Sequence, residues 1–289
     1  MLRTNLLKAF ALSMVLSGIS SVAGAASEPH SSSTKQTISQ QRAILSAATL
    51  GKGFGPQSPR DLGSLQGLNE RSFGISPPFQ EMNLCNIHFH ESAEHKGGEF
   101  TRYAGDGDGR GYGTGFKYSG ELKDYELSPV SSPIGKTVHG DLVPGDTIEI
   151  HFVFSSAQVS PGPTLGSCIN KSINNPNLRV ETVVGVLVND PSAFSFVKLT
   201  TISNSSGRYQ ADNIPDNLGA PIEYAGSTTG PSYNEKASPF QVTWSVRPKV
   251  LKINILSLDA WLKDNIFDEN HAHGVRNLVI NPELLSPIR

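Results

Sequence analysis

The chain has 289 residues, 37% of them hydrophobic, which is enough to bury a substantial core, and a formal net charge of -2. Its densest basic cluster is Arg247-Pro248-Lys249, too small a patch to neutralise phosphates, so nucleic acid is not expected as a partner. With 28 Gly and 19 Pro, the composition favours many short strands joined by turns over a helical bundle.

The amino terminus reads as an address. Arg3 and Lys8 precede the apolar, small-residue run AFALSMVLSGISSVAGA, which ends in Ala23-Gly24-Ala25, the small-x-small pattern of a signal-peptidase site. Residues 1–25 are therefore expected to be a cleaved signal peptide and the mature protein to be exported, periplasmic or secreted. No later segment approaches the roughly 18 apolar residues of a membrane span, so none is expected in the mature form. Residues 26–50 are polar and low in hydrophobicity, a flexible mature N-terminus that turns helical near Gln40–Leu50. From Gly51 onward no linker-like break occurs, and residues 51–289 are read as one domain.

The predicted strands follow in order as NIHFH (86–90), TIEIHFVFSS (147–156), RVETVVGVLV (179–188), FQVTWSV (240–246) and KVLKINIL (249–256). All are rich in Ile, Val, Phe, Trp or Thr. Ser257 is expected to cap a short helix whose Leu258, Trp261, Leu262 and Ile266 fall on one stripe. The pattern is mainly β with a few short helices.

Chemistry concentrates in CNIHFHESAEHKGGEF (85–100), which holds three histidines, three glutamates and one of the two cysteines. On a strand, His88 and His90 project from one face, close enough to share one metal ion. An open catalytic site needs a third ligand from a neighbouring strand. His151, in the best strand pattern of the chain, is the expected third, ahead of His139, which sits in a turn. Glu149 shares the face of His151 and could fix its ring from behind. Glu91 and Glu99 read as solvated, and ligation by His95 is not expected.

Export would place Cys85 and Cys168 where they can pair, and closing so long a loop would contribute about 4–5 kcal/mol in the chain-entropy view. Alternation along 85–90 points Cys85 away from His88 and His90, which argues against Cys85 as a ligand. GDGDGRGYGTGF (105–116) opens like a calcium loop with Asp106, Asp108 and Gly111, but Arg110 and Lys117 stand where ligands are needed, so it reads as a glycine-rich connection. His271 and His273 repeat the H-x-H spacing with no strand around them, and no second metal site is expected there. Asn170 and Asn204 fit N-x-[ST], which matters only in a glycosylating host.

NIHFHESAEHKGGEF followed by IEIHFVF resembles the zinc motif of carbonic anhydrases, and its tight H-x-H-x-x-x-E-H spacing is most similar to the δ class. GFGPQSPRDL (53–62), VVGVLV (183–188), YAGSTTGP (224–231) and VTWSV extend the resemblance over most of residues 53–280. It implies an α-carbonic-anhydrase-like fold, a single domain on a large, mostly antiparallel mixed sheet. It also implies reversible hydration of CO2 to bicarbonate by a zinc hydroxide held by His88, His90 and His151, with Co2+ or Cd2+ as possible substitutes. By resemblance Glu94 and Thr228, or its neighbour Thr229, orient the hydroxide, His95 is structural, and Val153, Val183 and Trp244 wall an apolar pocket. Two other functions remain open: a zinc-hydroxide esterase, and a non-catalytic zinc-binding or scavenging protein. His139, His30, His271 and His273 are candidates for carrying the proton away, and the oligomeric state is not legible.

Overall fold

The computed structural model describes residues 60–61, 74–105, 107–108, 111–173, 176–229 and 237–275. The signal-peptide and N-terminal expectations, and most of the 53–62 motif, lie outside these residues.

The centre of the molecule is a mixed six-stranded sheet. Its strands are β1 (Asn83–Glu91), β2 (Thr147–Ser155), β3 (Leu178–Val188), β4 (Phe194–Ser195), β5 (Ile222–Thr229) and β6 (Ala237–Asn254). The order runs β1-β2-β3-β6, and the far edge of β6 is shared by β5 and, at its end, β4. The β1–β2, β2–β3 and β5–β6 pairs are antiparallel, whereas β3–β6 and β4–β6 are parallel. Among the described residues, four two-stranded ladders accompany it.

The apolar runs are buried on both faces, as their near-continuous hydrophobicity requires. One face carries Ile87, Phe89, Ile148, Ile150, Phe152, Val183 and Leu187, which pack under two helices, α1 (Phe196–Leu199) and α2 (Ile255–Lys263). The other carries Val153, Val180, Val184, Tyr224, Val242 and Trp244. The mainly β, single-domain reading of the sequence holds.

The predicted helix near Ser257 starts three residues earlier. Asn254 is its cap, accepting from the Leu256 N–H at 2.9 Å, while the Ser257 hydroxyl donates to the Asn254 carbonyl and accepts from the Phe196 N–H. Leu258, Trp261 and Leu262 are buried as expected, but Ile266 lies past the helix end and is exposed.

Cys85 and Cys168 form a disulfide. The expected facing of Cys85 does not hold. Pairing shifts between Leu84, opposite Phe154, and Asn86, opposite Val153, so Cys85 is the extra residue of a β-bulge. Strict alternation breaks there, and Cys85 joins the cluster on the histidine face.

Candidate metal centre

His88 lies directly across from His151, and His90 across from Glu149, so the two strand patterns meet in register. All three histidines are buried, and one nitrogen from each falls within 4.8 Å of the others. The ring centroids stand 4.8–5.2 Å apart.

The partners behind the rings decide which nitrogens converge. Asn86 Nδ2 donates to the Gly162 carbonyl at 3.0 Å, which leaves Asn86 Oδ1 to accept from His88 Nδ1 at 2.7 Å. The Gly274 carbonyl accepts from His90 Nδ1 at 2.7 Å, and Glu149 Oε1 from His151 Nε2 at 2.8 Å. Protons on those three nitrogens put lone pairs on His88 Nε2, His90 Nε2 and His151 Nδ1. Two of these, His88 Nε2 and His151 Nδ1, lie 3.2 Å apart. Such lone pairs repel unless a cation separates them, and tetrahedral ligands about 2.0–2.1 Å from zinc sit at about this spacing. The residues therefore fit a divalent metal held by two Nε2 atoms and one Nδ1.

Burial favours the neutral form of His88 and His90, as ligation requires. It lowers the pKa of His88 well below its ordinary value, helped by the neighbouring histidines. It lowers that of His90 to about 4 against the opposing pull of Glu94. Burial acts to raise Glu149, yet the His95 and His151 rings hold its pKa far below the usual carboxylate range. Glu149 is thus an anion with two rings on it: its Oε1 also takes His95 Nδ1 at 2.7 Å, and its Oε2 takes the His95 backbone N–H. His95 Nε2 in turn meets the Tyr224 hydroxyl at 2.6 Å, so His95 spans β5 and Glu149.

Glu94 is buried, with Oε1 3.5 Å from His90 Nδ1 and a carboxylate oxygen within 4.8 Å of His151 and Glu149 ligand atoms. Ser92 takes a left-handed φ of 67° between Glu91 and Ala93, a local reversal that brings Glu94 and His95 back under the site. Trp244 stands 5.0 Å from the His151 ring and stacks near Tyr224. Val153 shares the His151 face of β2.

Val183 does not join the site. It pairs with Ile150 and packs in the opposite cluster under the helices, while Val180, paired with Val153 and Trp244, takes the place expected for it. Thr228 and Thr229 end β5 at an irregularity in its pairing, and their side chains lie outside the described residues. His273, one of the candidates for carrying the proton away, has its ring 5.8 Å from His88 and 6.0 Å from His90, with its Nε2 on Glu269 at 2.7 Å. Its backbone docks on β1 through Phe89 and Glu91. His271 lies 5.6 Å further out, and His139 stacks on Tyr112 with Nδ1 on Asp108.

A delta carbonic anhydrase family model matches residues 79–257, which span β1 through the start of α2. The chain belongs to the delta carbonic anhydrase family. No curated protein and no solved structure matches it. The delta carbonic anhydrase match covers His88, His90, His151, Glu149 and Glu94 but ends before Gly274, the acceptor behind His90.

Proposed function

We propose that the chain is an exported zinc enzyme that interconverts CO2 and bicarbonate. The observation that carries this reading is the convergence of His88 Nε2, His90 Nε2 and His151 Nδ1, each ring oriented from behind by an acceptor of its own. A zinc ion held by three neutral imidazoles keeps its full charge and lowers the pKa of a bound water to about 7, for which carbonic anhydrases are themselves the reference case.

The chain's residues supply the rest. Glu149 fixes the tautomer of His151 and is itself fixed by His95. In this proposal Glu94 accepts a hydrogen bond from the hydroxyl of Thr228 or its neighbour Thr229, so that hydroxyl can only accept from the attacking oxygen, which aligns it on the carbon. Val153, Val180 and Trp244 present the apolar wall that suits CO2, a molecule without a net dipole. Cobalt and cadmium are the alternative metals such nitrogen ligands accept. Residues 1–25 act as the cleaved signal of this proposal, and the buried disulfide fits an oxidising destination.

Metal analysis of the purified mature protein coupled to stopped-flow CO2 hydration, before and after chelation, tests it. We expect about one zinc per chain and a catalysed rate that chelation abolishes. A rate that stays at that of the buffer with zinc present would exclude the enzyme. Faster turnover of an aryl ester than of CO2 would make it an esterase.

A further inference from the structure

We infer that the Cys85–Cys168 disulfide is a positioning device for the metal ligands: it fastens the β-bulge and the loop 156–168 that together set the facing and ring orientation of His88. The inference rests on the reading of His88, His90 and His151 as a metal centre.

The bulge controls facing. Cys85 and Asn86 both face the histidine side, and from Asn86 onward alternation places Asn86, His88 and His90 toward Val153, His151 and Glu149. Were residues 84–90 paired as a regular ladder with no bulge, the alternation set by Leu84 would carry His88 and His90 to the side now filled by Ile87 and Phe89, because a one-residue slip reverses every side chain beyond it. A bulged residue lacks the regular ladder bonds that hold its neighbours. Cys85 is held instead by its sulfur on Cys168 and by its carbonyl, which accepts from the Gly162 N–H at 3.1 Å.

The loop controls orientation. Its Gly162 carbonyl takes Asn86 Nδ2, and that bond turns Asn86 Oδ1 onto His88 Nδ1. The loop has little structure of its own beyond a single turn at Leu165–Cys168, and Gln158, Ser160 and Ser167 line an open cleft beside it. It is tied down at its end, where the Ser155 hydroxyl donates to the Cys168 carbonyl at 2.7 Å and Cys168 bonds Cys85. Both cysteines are fully buried, so the bridge fastens the interior beside the ligands. One covalent bond thus secures both determinants of His88.

The test is the full-length mature protein carrying C85A/C168A, which leaves no unpaired thiol. Zinc affinity is read by chelator competition, and ligand geometry by the visible absorption of the cobalt form. We expect zinc affinity to fall tenfold or more and the four-coordinate cobalt bands to weaken. L258A, whose side chain is buried on the opposite face, serves as control: it should lose stability while keeping affinity and spectrum. Affinity within twofold of the unaltered protein and an unchanged spectrum in C85A/C168A would overturn the inference.

If the double variant does not fold, the zinc-loaded protein is reduced with a phosphine while thiol release, metal release and circular dichroism are followed together. Metal loss with the sheet retained supports the positioning role. Metal retention after the thiols appear overturns it, and so does loss of the sheet itself, which would assign the bridge to stability alone. An unaltered protein that takes up neither zinc nor cobalt overturns the metal centre and this inference with it. One that binds zinc without hydrating CO2 overturns only the proposed reaction.

Discussion

Glu149 is fully buried yet negatively charged, and it holds two histidine rings at once. Glu149→Gln keeps the shape but removes the charge and one acceptor, so His151 loses basicity and orientation. Metal affinity should fall about 10- to 100-fold, measured by chelator competition, with the fold retained. Proton linkage gives a second outcome at this scale. His90 titrates near 4 when folded against about 6.5 unfolded. Between those values the unfolded chain binds protons that the folded chain does not, so the chelated protein should lose stability as pH falls from about 6.5 to 4 and gain none above it. His88 shifts the same way and adds to the effect. Denaturant unfolding of chelated protein across that range checks the sign. Much of the histidine cluster was legible in sequence, because H-x-H and E-x-H on strands leave a period-two signature. The Gly274 carbonyl behind His90 carries no signature, since any residue offers one.

At the scale of elements, β3 shows where pattern reading fails. The run VVGVLV is apolar at nearly every position and buried throughout, so nothing in it marks which residues face the histidine cluster. Only the pairing with β2 does, and it selects Val180 over Val183. Val180→Tyr should therefore fill the apolar wall and cut CO2 hydration at least tenfold while zinc content stays at one per chain. Val183→Ala should instead leave turnover near normal and lower stability by about 1–3 kcal/mol through a core cavity, read by denaturant unfolding. The bulge at Cys85 was hidden for a related reason: alternation assumes an uninterrupted ladder, and one extra residue inverts the inference. The cap of α2 moved from Ser257 to Asn254 because both are good caps and the choice depends on where β6 ends.

Across the whole molecule, the central sheet divides two apolar layers, and the His88, His90 and His151 cluster occupies one of them beside Trp244 and Val153. Metal that binds only the folded arrangement adds its binding energy to stability, about 2.7 kcal/mol at a hundredfold excess over the dissociation constant. For a domain of this size the melting temperature should rise by about 5–10 °C on zinc addition and fall back on chelation. An unchanged melting temperature at saturating zinc would remove the triad as a metal centre. The fold class was legible because strand-rich segments and turn residues alternate along the sequence, but the topology was not. The parallel pairing of β3 with β6 joins segments more than 60 residues apart, with β4 and β5 between them in the chain.

The bond from His90 to the Gly274 carbonyl spans 184 positions. Synthesis runs from the amino end, so β1 exists long before the residue that orients its second histidine. Until position 274 emerges, His90 lacks its acceptor and His273 is not yet docked on Phe89 and Glu91. If the three histidines hold a metal as proposed, tight capture is then a late event in the life of the nascent chain, since the second histidine is oriented only once position 274 is in place.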